Sequence, residues 1–140
     1  MTDIEKMAEE YFLEKDYNCA ESTLRIACER YNFDLDDKAL KLVSGYGGGF
    51  GCGKTCGALC GAIAAISEKT VTERAHATEN FKEICSGFVN RFQETFGACD
   101  CEKVKPLHFV EGKRCVNVVA KTAEMLEDYL NEIGEKTDDK

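Results

Sequence analysis

An all-α bundle of about five to six helices in a single domain is what this sequence predicts, and three observations predict it. Apolar residues recur every three or four positions along 3–15, 72–96 and 113–133, the period of a helix with one buried face. No stretch makes a convincing strand. A Gly-rich, Cys-rich turn, G45-Y-G-G-G-F-G-C-G-K-T-C-G-A-L-C-G61, leads into an uninterrupted run of small and aliphatic residues, A-L-C-G-A-I-A-A-I, which reads as a central helix.

The first helix, 3–15, places Ile4, Met7, Ala8, Tyr11 and Phe12 on one face before Asp16 and Tyr17 interrupt it. Asn18 is an N-cap and Glu21 completes a capping box, so a second helix runs to about Tyr31. Cys19 falls in its first turn, where the helix dipole favours a thiolate. A turn at 32–37 and a short helix at 39–44 lead to the glycines. Residues Gly47 to Gly53 can take positive φ angles and turn backbone N–H groups toward a ligand or cluster. In the central helix, from about Thr55 to Lys69, Cys56 and Cys60 share a face. Gly57 and Gly61 form the ridge beside them, where another backbone can approach closely.

Thr72 can cap a long fifth helix ending at Phe96, with Gly97 as its stop. Phe81, Ile84, Cys85, Phe88, Val89, Phe92 and Phe96 make it the main packing element, its phenylalanines core rather than a cofactor box. A-C-D-C-E at 98–102 is a loop or helix start, and 103–110, with Pro106, is irregular or a short turn. The last helix, 113–133, carries Cys115 in its first turn, facing the core. Gly134 stops it, and 134–140 is a solvated tail. No linker or internal repeat divides 1–140.

The net charge of −8 argues against nucleic acid and anionic membrane surfaces as partners. No run approaches the ~20 apolar residues of a membrane span. The first ten residues are charged and helix-like rather than a secretory leader, so the expected location is cytoplasmic. Nine cysteines, an odd number, then point to metal binding or redox chemistry rather than a disulfide framework. Cys28 and Cys85 read as small buried hydrophobes. Cys19, Cys56 and Cys115 open helices and Cys101 follows the fifth helix, so four thiols can converge once the helices pack.

The motif C56-G-A-L-C-G61 resembles that of the redox-active protein family C_GCAxxG_C_C. The resemblance extends from Y-N-C-A-E (17–21) through S-G-Y-G-G-G-F-G (44–51) and F-G-A-C-D-C (96–101) to Cys115. It implies a small redox domain whose family cysteines correspond to Cys19, Cys56, Cys101 and Cys115. Similar domains occur fused to haem proteins of the split-Soret cytochrome type, which implies electron transfer. This chain has no C-x-x-C-H motif and so no haem. Cys52, Cys60 and Cys99 are additional and could extend the site.

Iron–sulfur ligation by Cys19, Cys56, Cys101 and Cys115 is the first expectation, since helix starts and glycine N–H groups favour an anionic cluster. A second is thiol–disulfide chemistry, with Cys19 or Cys56 as the redox thiol and Cys52/Cys56, Cys56/Cys60 or Cys99/Cys101 as neighbouring pairs. A third is structural zinc, or an adaptor domain without turnover, although the paired knuckles of most Cys₄ zinc sites are absent. Residues Gly48 to Thr55 also satisfy G-x-x-x-x-G-K-[ST]. Phosphate binding there would need a strand before the loop and a parallel sheet around it, and neither is evident. His76 reads as solvated. His108, between Cys101 and Cys115, reads as partly buried and structural, with a ligand role as the alternative. The expected partners are a redox protein of unspecified identity and, through the small ridge or apolar residues, a second copy in a homodimer.

Overall fold

The computed structural model describes residues 1–138, with side chains as far as Gly134. The predicted periodicities become seven helices, with no strand among the described residues. Helix α1 (Asp3–Ala8) runs on as a π-helical turn, Glu9–Glu14, and the chain then turns at Asp16 with a φ of 60°. Helix α2 (Cys19–Tyr31) starts on the expected capping box. Asn18 Oδ1 accepts from the Glu21 N–H at 3.0 Å, and Glu21 Oε1 accepts from the Asn18 N–H at 3.1 Å. Asn32, left-handed at φ 57°, ends it. Helix α3 (Asp37–Leu40) tightens into a 3₁₀ segment, Lys41–Tyr46, and the glycine turn follows. Helices α4 (Gly57–Thr70), α5 (Phe81–Phe96), α6 (Cys101–His108) and α7 (Val116–Asp138) complete the order.

The most extensive helix pairing is α2 against α4, with α7 packed on both and on α1. The glycine ridge makes the α2–α4 seam possible. A Cβ on Gly61 would lie 2.5 Å from the Ala20 carbonyl oxygen, so only glycine lets the backbones come this close. Gly57 and Gly61 thus serve packing inside the chain. The larger core gathers Leu24, Leu59, Ile66, Phe88, Phe92 and Leu126, all buried. A smaller one sits under α1, with Ile4, Phe12, Ile26 and Val119. Each such side chain contributes about 1.5–3 kcal/mol on burial.

Several elements depart from the sequence expectation. Helix α5 begins at Phe81 rather than Thr72, and 75–77 is a single 3₁₀ turn. From Thr72 to Asn80 there is no large apolar side chain to bury, and Asn80 is left-handed at φ 59°. The helix therefore starts where its apolar stripe starts. Its phenylalanines are core as expected, but the α2–α4 seam, not α5, is the main packing element. Residues 103–108 are helical rather than irregular, with Pro106 inside α6. Helix α7 begins three residues late because Gly112 (φ 82°) and Arg114 (φ 53°) form a turn closed by the Val110 to Arg114 bridge. It also continues through Gly134 to Asp138, since one helical glycine costs only about 1 kcal/mol. The predicted tail is helical to that point, and residues 139–140 lie outside the described residues. Among the described residues no helix is long and apolar enough to cross a membrane.

Candidate redox site

Four local devices bring Cys19, Cys56, Cys101 and Cys115 to one region. The first is the α2 cap. Asn18 Nδ2 also donates to the Ser44 carbonyl at 2.8 Å, and Ser44 Oγ donates to Glu21 Oε2 at 3.1 Å. This ties the start of α2 to the segment leading into the glycine turn, and a Cβ on Gly57 would collide with the Cys19 sulfur. Cys19 therefore sits directly on the glycine ridge of α4.

The second device is the turn itself. Gly48, Gly49, Phe50 and Gly51 take successive φ values of 64°, 64°, 63° and 72°, one turn of the wrong hand for L-residues, which three glycines make tolerable. The chain is thereby reversed so that Cys56 becomes the N-cap of α4. Third, a short antiparallel bridge joins this segment to the C-x-C step. The Cys56 N–H donates to the Cys99 carbonyl at 2.7 Å, and the Cys101 N–H donates to the Lys54 carbonyl at 2.6 Å. Cys101 is then the first residue of α6. Fourth, the turn at 110–114 sets Cys115 immediately before α7, where its carbonyl accepts from Val118 and Val119 at 3.0 and 3.2 Å. All four cysteines thus stand at helix starts, including Cys101, expected after a longer α5, and Cys115, expected within the first turn.

Cys19 and Cys101 act on the other thiols of the set through their charge. Burial, followed by the charge of Cys19, pushes the Cys56 thiol from an ordinary 9.0 up to about 12, and the charge of Cys101 adds to it. The Ala58 and Leu59 N–H groups pull the other way, although neither completes a side-chain cap. Cys101 is raised by burial and then by Cys19, and lowered by Lys105. Cys115 is raised by burial, then by Cys101 and Cys19, with Lys105 and Arg114 opposing. Desolvation disfavours a lone thiolate and each further thiolate disfavours the next. At Cys56 burial outweighs the helix-start position, because only 6% of the residue is exposed.

The extra cysteines divide. Cys60 is half-buried one turn along α4 and feels Cys19, so it borders the group. Cys52 is exposed on the turn, its thiol donating to the Gly49 carbonyl. Cys99 turns away toward Gln93 Oε1 at 3.3 Å. Cys28 and Cys85 are half-buried against the larger core, close to the packing role expected. All nine thiols are free. His76 is exposed, on the 75–77 turn rather than a helix. His108 closes α6, its ring edge-on to Phe96 at 5.2 Å and its Nε2 buried without a hydrogen-bond partner. A charged neighbour missed in the sequence is Lys105, which opposes the upward shifts of Cys101 and Cys115 and is signalled only by its place one helical turn after Cys101.

Four thiols and no carboxylate match in kind the donor set of an iron–sulfur or zinc site. Among the described residues, however, no three His, Cys, Asp or Glu side chains are gathered as a metal ion would hold them. The phosphate-loop reading fails on architecture. A 3₁₀ segment precedes the turn instead of a strand, and the Lys54 N–H and carbonyl are used by Gly49 and Cys101.

No curated protein and no solved structure matches the chain. A family model described as "Putative redox-active protein (C_GCAxxG_C_C)" matches residues 17–129, a span that contains all four converging cysteines and ends within α7. The chain belongs to the C_GCAxxG_C_C family of redox-active proteins.

Proposed function

We propose that the protein transfers electrons through an iron–sulfur cluster held by Cys19, Cys56, Cys101 and Cys115. One observation carries this reading: four thiols from four separate helix starts act on one another electrostatically, with no carboxylate among them. Such a group is unfavourable as bare thiolates and becomes favourable around a cationic centre. Holding a cluster would require the four side chains to draw closer than they stand. A bound cluster would supply one-electron chemistry. The chain's own contribution is to supply the ligands from fixed helix starts, to point the Ala58 and Leu59 N–H groups toward the Cys56 sulfur, and to exclude water from it. Thiol–disulfide exchange fits less well, because the thiolate is the attacking species and burial keeps Cys56 protonated at neutral pH.

The test is anaerobic purification followed by iron, acid-labile sulfide and zinc analysis, with visible spectra. Iron and sulfide in comparable amounts are expected, with loss of both in Cys56→Ser and Cys115→Ser. Cys52→Ser, with its exposed thiol, reports whether substitution itself disturbs the fold. Zinc without sulfide would make the site structural. A metal-free protein whose thiols oxidise pairwise would make it a disulfide centre. Either result overturns the proposal.

A further inference from the structure

The two segments that meet at the Thr55 to Asp100 bridge differ from the rest of the molecule in charge and in exposed surface. Residues 38–56 and 100–114 hold seven of the eighteen Lys and Arg side chains but only three of the twenty-six Asp and Glu. An acidic protein therefore carries one basic region, and it is the region bearing Cys56 and Cys101. The exposed apolar side chains fall in the same two segments. Apart from Met1, every large hydrophobic residue exposed among the described residues lies in these segments: Leu42, Tyr46, Phe50, Leu107, Phe109 and Val110. Tyr46 and Phe50 brace each other edge-on at 5.6 Å across the left-handed turn. Lys105 lies over the Phe109 ring at 5.3 Å.

Between the turn and α6 runs an open groove of about 520 Å³, floored by Gly48, Gly53 and Cys101 and walled by Lys105, Pro106 and Phe109, with Glu102 its one acidic side chain. Cys101 is thus the member of the thiol group that opens to this surface. An apolar centre with a charged rim is the anatomy of a protein–protein contact.

We infer that this face docks an acidic one-electron carrier protein, whose carboxylate rim meets Lys54, Lys103 and Lys105 while its apolar centre covers the groove beside Cys101. The inference rests on the proposed redox role of the thiol group, for which it names the partner's chemistry. Charge complementarity selects the partner. A basic carrier would be drawn to the acidic remainder of the molecule, whereas an acidic carrier is favoured at this lysine-rich face. Docking makes and breaks no covalent bond. One electron passes from the reduced carrier to the group behind Cys101, leaving the carrier oxidised by one electron.

The experiment titrates the anaerobically purified protein with a plant-type [2Fe–2S] ferredoxin, an acidic carrier, and with a basic cytochrome c, reading binding by calorimetry at low and high salt. The expected result is ferredoxin binding that weakens with salt and falls by about tenfold or more in Lys54→Glu/Lys105→Glu. Lys6→Glu, on α1, should leave it unchanged. Circular dichroism checks the fold of each variant, and the salt dependence of the unaltered protein stands without them. Failure of ferredoxin to bind, equal binding by the charge-reversed variant, or a groove occupied by a second copy in sedimentation would each overturn the inference. Binding is read without electron transfer, whereas iron and sulfide content tests the thiol group, so either reading can fail alone.

Discussion

Replacing Gly61 with alanine tests the seam on which the thiol site stands. The added methyl would lie 2.5 Å from the Ala20 carbonyl oxygen and 3.2 Å from the carbon and Cα of the same residue. All three are backbone atoms of α2, so no side chain can swing aside. An ordinary contact requires the helices to part by roughly 1 Å, which forfeits dispersion along the seam. Overpacking of this kind costs about 1–3 kcal/mol, and the better helix propensity of alanine returns up to about 1 kcal/mol. A net loss of about 1–2 kcal/mol follows, a fall in Tm of about 3–6 °C for a domain of this size. Urea unfolding should show a lower midpoint with an unchanged slope. Gly134→Ala in α7, where nothing lies within 4 Å, is the control and should be neutral or stabilising. If Gly61→Ala matches that control, the close approach of α2 and α4 is not what glycine is there for. Cys19 adjoins Ala20, so the same variant should also retain less iron.

Two further outcomes follow from the site. In metal-free protein, burial raises the Cys56 thiol from 9.0 to about 12, so folding favours its neutral form. That contribution is complete below pH 9 and is lost as pH climbs from 9 toward 12. Urea midpoints at pH 8 and 10.5 should fall, and Cys56→Ala should flatten the fall by up to about 1.4 kcal/mol per pH unit. An identical pH profile in the variant would contradict the assignment. Asn18→Asp keeps an acceptor for the Glu21 N–H but loses the donor to the Ser44 carbonyl. Its expected cost is about 1 kcal/mol, with faster amide exchange across 41–46, and wild-type exchange there would show the tie to be unimportant.

What could be read from the chain was what is local. The Asn18–Glu21 cap, the helical run after Thr55 and the stop at Gly97 each depend on a few neighbouring residues, and each appears where expected. The convergence of Cys19, Cys56, Cys101 and Cys115 was legible as a possibility because thiols at helix starts point into a bundle. The bridge between 54–56 and 99–101 was not legible, because it joins two loops some 45 residues apart through backbone groups that carry no side-chain signature. Pro106 misled in the opposite direction. It reads as a breaker, yet α6 spans only Cys101–His108 and has few hydrogen bonds for one proline to remove. At Thr72 a good cap promised a helix that the following residues could not bury, and burial decided the boundary.

The bridge has a mechanical consequence. Cys56 and Cys101 lie on two segments of backbone joined by two short hydrogen bonds, so their sulfurs are tied to one another like the two sides of a jaw. Cys19 and Cys115 ride on α2 and α7, separate levers that meet this jaw from other directions. Any change in the spacing of the four thiols would therefore be taken up by movement of those two helices, and the jaw would keep its bite.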